Sequence, residues 1–153
     1  MNCDPRDKNV IILGDTFLCG QPAKHFFEKL NSNVTLIKNI ENGKLDAKVL
    51  EQLKNSDIVI SDFNKIKLFN ATHLKTGAIV LDIGMCYDET TNKMRGDFDD
   101  QTLGDNVDQE EINFSYTPTP GGFGVISQTM LMRNVLTCWY KCEQRKMLGN
   151  GNY

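Results

Sequence analysis

The sequence predicts an α/β domain: a doubly wound, mostly parallel sheet with helices on both faces. Three observations carry that expectation. Four short apolar runs, Asn9-Val10-Ile11-Ile12-Leu13, Val34-Thr35-Leu36-Ile37, Asp57-Ile58-Val59-Ile60-Ser61 and Ala78-Ile79-Val80-Leu81-Asp82, lack the in-and-out alternation of a half-solvated strand. They read as strands covered on both faces. Segments of helical period separate the first three, and the first strand ends abruptly at a glycine. Strand, helix and strand in alternation imply parallel pairing.

Each element follows from its residues. After Gly14 a helix is expected from Gly20 to Leu30, because Ala23, Phe26, Phe27 and Leu30 recur at helical spacing and Pro22 suits a first turn. The second strand is Val34 to Ile37. A second helix runs from Asp46 to Lys54, with Val49, Leu50 and Leu53 on one side. A connection holding Phe63, Ile66, Leu68, Phe69 and Leu74 joins the strands at 57–61 and 78–82. Beyond Gly84, Met85-Cys86-Tyr87 and Lys93-Met94-Arg95 flank a polar turn and read as a hairpin or loop excursion. The acidic stretch Asp97 to Glu111 is expected to be exposed. Asn113 to Tyr116 is a last strand, and Val125 to Met147 a final helix. In that helix Ile126, Met130, Met132, Val135, Leu136, Trp139 and Tyr140 cover more than one narrow stripe, more apolar surface than one sheet face needs.

The 153 residues fit one domain, long enough to bury roughly 70% of the surface exposed by the unfolded chain. The expected division is a polar N-terminal extension at 1–8, a Rossmann-type domain at 9–148 and a flexible tail at 149–153. A net charge of -3 supplies no basic field for nucleic acid, and no apolar run is long enough for a signal peptide or spanning helix. Neither nucleic acid nor a membrane is an expected partner. A cytoplasmic location follows, and an organellar one is also compatible.

Cys3, Cys19, Cys86, Cys138 and Cys142 are odd in number and irregular in spacing, which argues for reduced thiols over a disulfide framework. Cys138 and Cys142 share a helix face but lack further ligands nearby in sequence for a tetrahedral metal site. His25 and His73 have no partner carboxylate within a motif and read as surface or partly packed residues.

Two glycine-rich turns carry the chemistry. Gly14-Asp15-Thr16-Phe17-Leu18-Cys19-Gly20-Gln21-Pro22 joins the first strand to the first helix. The start of that helix is expected to offer unpaired N–H groups and a partial positive charge to a pyrophosphate. Its spacing, Gly-x5-Gly-x-Pro, departs from the usual G-x-G-x-x-G, so a purely structural turn is an equally good reading of the loop alone. The second turn, Thr117-Pro118-Thr119-Pro120-Gly121-Gly122-Phe123-Gly124, has a stiff entry and a backbone that a ligand can approach closely. Emerging near a strand end, it is expected on the same crevice rim.

Taken in order, these residues resemble the bifunctional methylenetetrahydrofolate dehydrogenase/cyclohydrolase family. The first loop is similar to the family's G-R-S-x-x-V-G-x-P. Asp82-Ile83-Gly84 is similar to its D-V-G, Gly96-Asp97-Phe98-Asp99 to its G-D-V-D, and Thr117 to Gly124 to its T-P-V-P-G-G-V-G. The match runs from about residue 9 to 141. The resemblance implies the family's C-terminal NAD(P)-binding domain, with Gly14, Thr16, Gly20, Pro22, Ser61, Ile83, Gly84 and Thr119 along the dinucleotide. Gly121, Gly122 and Gly124 would lie at the substrate rim. The reaction implied is hydride transfer from 5,10-methylenetetrahydrofolate to NAD or NADP, followed in the family by cyclohydrolysis.

The departures refine the expectation. Asp15 stands where the family has arginine, and a carboxylate there would repel an adenosine 2'-phosphate, favouring NAD over NADP. Lys38, ending the second strand, is either a counterweight that pairs with such a phosphate or a solvated surface lysine. Val125 replaces the proline that usually follows G-G-x-G. The resemblance also implies that the family's catalytic tyrosine and lysine, and its folate-binding aspartate, belong to an N-terminal half absent from this chain. Folate would then be a substrate only where a catalytic domain is supplied. The alternatives are a noncatalytic dinucleotide-binding or regulatory subunit that dimerises through its final helix, with itself or with a full-length relative, and an incomplete gene product. A methyltransferase-like fold is a weaker rival, since the second strand ends on Lys38 and Asn39, without an acid for a ribose.

Overall fold

In a computed structural model of the chain, residues 4–103 and 113–147 are described. Cys3, most of the acidic stretch and the tail at 149–153 lie outside them. The chain divides into two compact units, Met1–Phe123 and Gly124–Tyr153.

The first unit is built on β1 (Asn9–Leu13), α1 (Gly20–Lys29), β2 (Asn33–Ile37), α2 (Ala47–Lys54), β3 (Ile58–Ser61), β4 (Phe69–Asn70) and β5 (Ile79–Asp82). The hairpin β6 (Cys86–Asp88) and β7 (Lys93–Arg95), then β8 (Phe98–Asp99) and β9 (Ser115–Tyr116), complete it. Five strands pair in the order β2-β1-β3-β5-β9, every pairing parallel. The chain passes from β1 outward to β2, then returns across β1 to β3. The order therefore reverses between β1 and β3, which makes their C-terminal ends a topological switch point.

Alternate residues of the central strands serve opposite faces. Val10, Ile12, Ile58 and Ile60 pack with Phe27 of α1. Ile11, Leu13, Val59 and Val80 pack with Val49 and Leu53 of α2 and with Phe69 and Phe98. Helices thus cover both faces, and each fully buried aliphatic or aromatic side chain contributes about 1.5–3 kcal/mol. Asp46 caps α2 by accepting from the Val49 amide at 2.8 Å.

Two expectations change. The connection after β3 contains β4, which pairs in parallel with β8; two-residue strands are too short to leave a local pattern. More consequentially, Asp97, the first residue of the stretch expected to be exposed, is fully buried. Its carboxylate accepts from Ser61 Oγ at 2.5 Å, Phe63 N at 2.8 Å and Lys65 N at 2.7 Å. A buried charge is tolerated when donors surround it.

The second unit holds all but the first residue of α3 (Phe123–Met147), which begins two residues before its expected start. Val125, Ile126, Leu131, Met132, Val135, Leu136, Trp139 and Tyr140 are exposed along it. Arg145 and Lys146 occupy its last turn, where cations complement the helix dipole.

Candidate functional site

Strand register assembles the site. Ile37, Leu13, Ser61 and Asp82 are the paired last residues of β2, β1, β3 and β5. The next residue of each, Lys38, Gly14, Asp62 and Ile83, therefore falls in one row along the C-terminal edge of the sheet. Thr117 and Thr119, just beyond β9, reach the same row: the Asp82 amide donates to Thr117 Oγ1 at 2.9 Å, and Thr119 Oγ1 donates to the Asp82 carbonyl at 3.2 Å.

At the switch point this edge opens into a cleft of about 440 Å³, lined by Gly14, Asp15, Thr16, Lys38, Asn39, Asp62, Phe63 and Asn64. Four expected site residues meet there: Gly14, Asp15, Thr16 and Lys38. Gly14 has φ +115°, and a Cβ on it would lie 2.8 Å from the Asp62 carbonyl oxygen, so no side chain is tolerated. Gly20 is buried against the Gly14 peptide, and Pro22 occupies the first turn of α1. Ser61 lies beneath the cleft, its hydroxyl committed to Asp97. The Ile83 and Gly84 amides donate to the Ser61 carbonyl at 2.9 and 3.0 Å, placing both beside β3. Gly121 and Gly122 form the turn after Thr119, and the Gly122 amide donates to the Pro118 carbonyl at 2.8 Å. Gly124 stands in the first turn of α3.

The loop between β1 and α1 uses its donors differently from the expectation. Thr16 Oγ1 accepts from the amides of Cys19 at 3.1 Å and Gly20 at 3.3 Å, and the Thr16 carbonyl accepts from Gln21 N at 3.1 Å. With Pro22 lacking an N–H, the first amides of α1 are spent within the loop. The donors left to a ligand are the backbone amides of Asp15, Thr16, Phe17 and Leu18, which engage no hydrogen bond among the described residues. Phe17 and Leu18 project outward, both nearly fully exposed. A run of loop amides at a switch point suits a phosphate.

Charge adds a second layer. Lys38 Nζ lies 3.3 Å from Asp15 Oδ2, and Gln21 Nε2 donates to the other Asp15 oxygen. Lys38 is thus an exposed lysine whose ammonium sits beside the Asp15 carboxylate and partly offsets its charge. Opposite, Asp62 accepts the Thr16 hydroxyl proton. The resemblance drew attention to Ser61 and passed over Asp62, the next residue. The signal was its position, one step past a buried strand in the row containing Gly14. Cys19, half-buried at this corner, has its thiol pushed up to about 11 by burial and by Asp62, so it stays protonated near neutral pH. His73 sits away from the cleft in a short turn and accepts from the Asn70 amide, and His25 is exposed on α1. Among the described residues, no group of three or more His, Cys, Asp or Glu side chains is arranged to hold a metal ion.

The family profile described as tetrahydrofolate dehydrogenase/cyclohydrolase, NAD(P)-binding domain, matches residues 1–143. The chain belongs to this family. The bifunctional protein FolD of Caldicellulosiruptor saccharolyticus is 30% identical over 135 residues, 88% of this chain and 44% of that protein. FolD of Staphylococcus aureus strain JH9 is 29% identical over 133 residues, 87% of this chain and 42% of that protein. Among solved structures, the Campylobacter jejuni FolD methylenetetrahydrofolate dehydrogenase/cyclohydrolase superposes with a TM-score of 0.69 at 26% identity, over 88% of this chain and 43% of that one. The Trypanosoma brucei FolD, solved with NADP cofactor and inhibitor, gives a TM-score of 0.75 at 23% identity, over 92% of this chain and 46% of that one. At that identity the likeness is one of fold. The chain spans less than half the length of the curated relatives it matches.

Proposed function

We propose that this chain is the dinucleotide-binding half of a methylenetetrahydrofolate dehydrogenase-type oxidoreductase of one-carbon folate metabolism. The observation that carries the reading is the cleft at the β1–β3 switch point, where Gly14, Asp15 and Thr16 meet Lys38 in a family whose domain is described as NAD(P)-binding. The pyrophosphate would be held by the backbone amides of residues 15–18. The rest of the dinucleotide would run along the strand ends past Ser61, Ile83, Gly84 and Thr119, towards the turn at Gly121 and Gly122. Gly20 and Pro22 would shape the loop from beneath. When bound, the dinucleotide supplies the hydride acceptor. The chain's own part is to bind and orient it, while the groups that handle folate and its proton come from a partner domain.

NAD is the favoured form. Asp15 stands beside the end of β2, where dinucleotide-binding sheets commonly place an acid for the adenosine ribose, although here it arrives from the preceding loop. The exposed apolar residues of α3 support a second element, dimerisation through that helix with a like chain or a full-length relative.

Calorimetric titration of the chain with NAD, NADP and S-adenosylmethionine tests the reading. Saturable binding of NAD, weaker binding of NADP and none of S-adenosylmethionine is expected. The absence of heat and of any melting shift with both dinucleotides would overturn it.

A further inference from the structure

We infer that Asp62, alongside Asp15, is a specificity-determining residue of this cleft, a fixed carboxylate that sets it against phosphate and makes affinity depend on how much negative charge a ligand brings. The inference rests on the dinucleotide reading and deepens it.

The hydroxyl of Thr16 has one proton to donate and two lone pairs with which to accept. All three are in use: the proton goes to Asp62, and the lone pairs take the amides of Cys19 and Gly20. A phosphate oxygen needs donors, and while Asp62 holds the proton this hydroxyl has none to give. The side chain that would otherwise cradle a phosphate is turned into part of the wall.

Charge reinforces the effect. Among the cleft's lining residues, Asp15 and Asp62 face a single cation, Lys38, which lies 3.3 Å from Asp15. Asp62 thus has a hydroxyl for a partner and no cation in the lining. Nor can it retreat easily. Its amide donates to the Leu13 carbonyl at 2.7 Å, and its own carbonyl occupies the space beside Gly14. The carboxylate is carried on backbone wedged between two strands.

The test is calorimetric titration of the wild-type chain, Asp62→Asn and Asp62→Ala with NAD, ADP and adenosine at low and high salt. Asparagine keeps an acceptor for Thr16 and removes the charge, whereas alanine also releases the hydroxyl. Circular dichroism and thermal melting confirm that each variant is folded, and Asp62→Asn carries the test alone where the alanine chain does not fold. The expected result is a dissociation constant for NAD and ADP about tenfold lower in Asp62→Asn at low salt, and lower again in Asp62→Ala. The gain shrinks at high salt and adenosine is unaffected. Equal binding of NAD by wild type and Asp62→Asn overturns the inference and leaves the dinucleotide reading intact. Equal gains for adenosine and ADP also overturn it, since charge would not be the cause. Binding of NAD only by the substituted chains supports the role of Asp62 and overturns the dinucleotide reading of the natural cleft. Failure of every folded chain to bind NAD or ADP overturns both.

Discussion

The Asp97 carboxyl occupies the space that a side chain on Gly84 would need: a Cβ there would lie 2.5 Å from Asp97 Oδ2. The relationship is reciprocal. A Cβ on Gly96 would lie 2.8 Å from Asp82 Cγ, and Asp82 accepts from the amides of Asp97 at 3.2 Å and Phe98 at 3.1 Å. The motifs Asp82-Ile83-Gly84 and Gly96-Asp97-Phe98-Asp99 therefore interlock, each glycine making room for the other's acid. Through Asp97 the lock also holds the amides of Phe63 and Lys65, and with them one wall of the cleft. Either Gly84→Ala or Gly96→Ala is expected to destabilise the chain by about 2–4 kcal/mol, because overpacking is compounded by displaced hydrogen bonds to a buried acid. Urea denaturation checks this, with Gly43→Ala, in open space but at φ +68°, as a milder reference.

The same lock imposes a pH dependence of unusual sign. Burial pushes the Asp82 carboxyl up to about 7, with Asp97 nearby adding to the rise against the amides of Phe98 and Asp97. Burial raises Asp97 as well. A carboxyl with a higher pKa folded than unfolded keeps a proton that the unfolded chain has released. Stability therefore falls as pH rises from about 4, where an unfolded aspartate ionises, to about 7. Groups held below their ordinary values pull the other way, the carboxyls of Asp4, beside Arg6, and Asp57, beside Lys75, among them. His73, held below its ordinary value first by burial and then by Lys54, loses stability as pH falls below the ordinary histidine range. Asp88, held down to about 2 by the hydroxyls of Thr90 and Thr91, does so only as pH drops below about 4. The melting temperature is expected to be higher at pH 5 than at pH 8. Since His73 is common to both chains, Asp82→Asn isolates the lock: its melting temperature should show a smaller fall, or a rise, over that interval. An identical slope in the two chains would count against this origin.

How much of this was legible in the sequence divides along the distance between partners. The strands Asn9–Leu13 and Ile58–Ser61 and the helix from Gly20 were readable because apolar run length, helical period and Pro22 are local signals. The site's position was readable too, since a strand that stops at Gly14 and a turn after the last strand must meet at one edge of a parallel sheet. The environment of Asp97 was not. Its partners Phe63 and Ser61 lie 34 and 36 residues away, and an aspartate among other acids carries no local mark of burial. The Thr16–Asp62 bond, spanning 46 residues, was hidden for the same reason. The use of the Cys19 and Gly20 amides by Thr16 is local, and the sequence left it open because a threonine hydroxyl beside a helix start serves a loop or a ligand equally well.

Thr16 is expected to matter for stability apart from any ligand. Its hydroxyl accepts two amides at the start of α1, a cap supplied from three residues before the N-cap position. Removing a capping acceptor costs about 1 kcal/mol. Thr16→Val should therefore lower stability by about that amount in chemical denaturation, while Thr16→Ser, which keeps the hydroxyl, should recover most of it.

Asp15 is where the choice between NAD and NADP should be decided. Lys38 and Gln21 hold its carboxylate at the edge of the cleft, beside the end of β2. A 2'-phosphate arriving there would meet that carboxylate and share with it the Lys38 ammonium. Two unit charges about 4 Å apart interact by about 4 kcal/mol at an intermediate dielectric. Lys38 is 63% exposed, so solvent and salt reduce the net discrimination to about 1–2 kcal/mol, or roughly tenfold in affinity. Two substitutions separate the roles. Asp15→Ser removes the repulsion and leaves Lys38 free for the phosphate, so the NAD-to-NADP affinity ratio should collapse towards unity or invert. Lys38→Ala leaves Asp15 uncompensated, so NADP should weaken further and the ratio should widen. Opposite movement of that ratio in the two variants, measured by titration at one ionic strength, is the expected signature, and movement in the same direction would remove Asp15 as its cause.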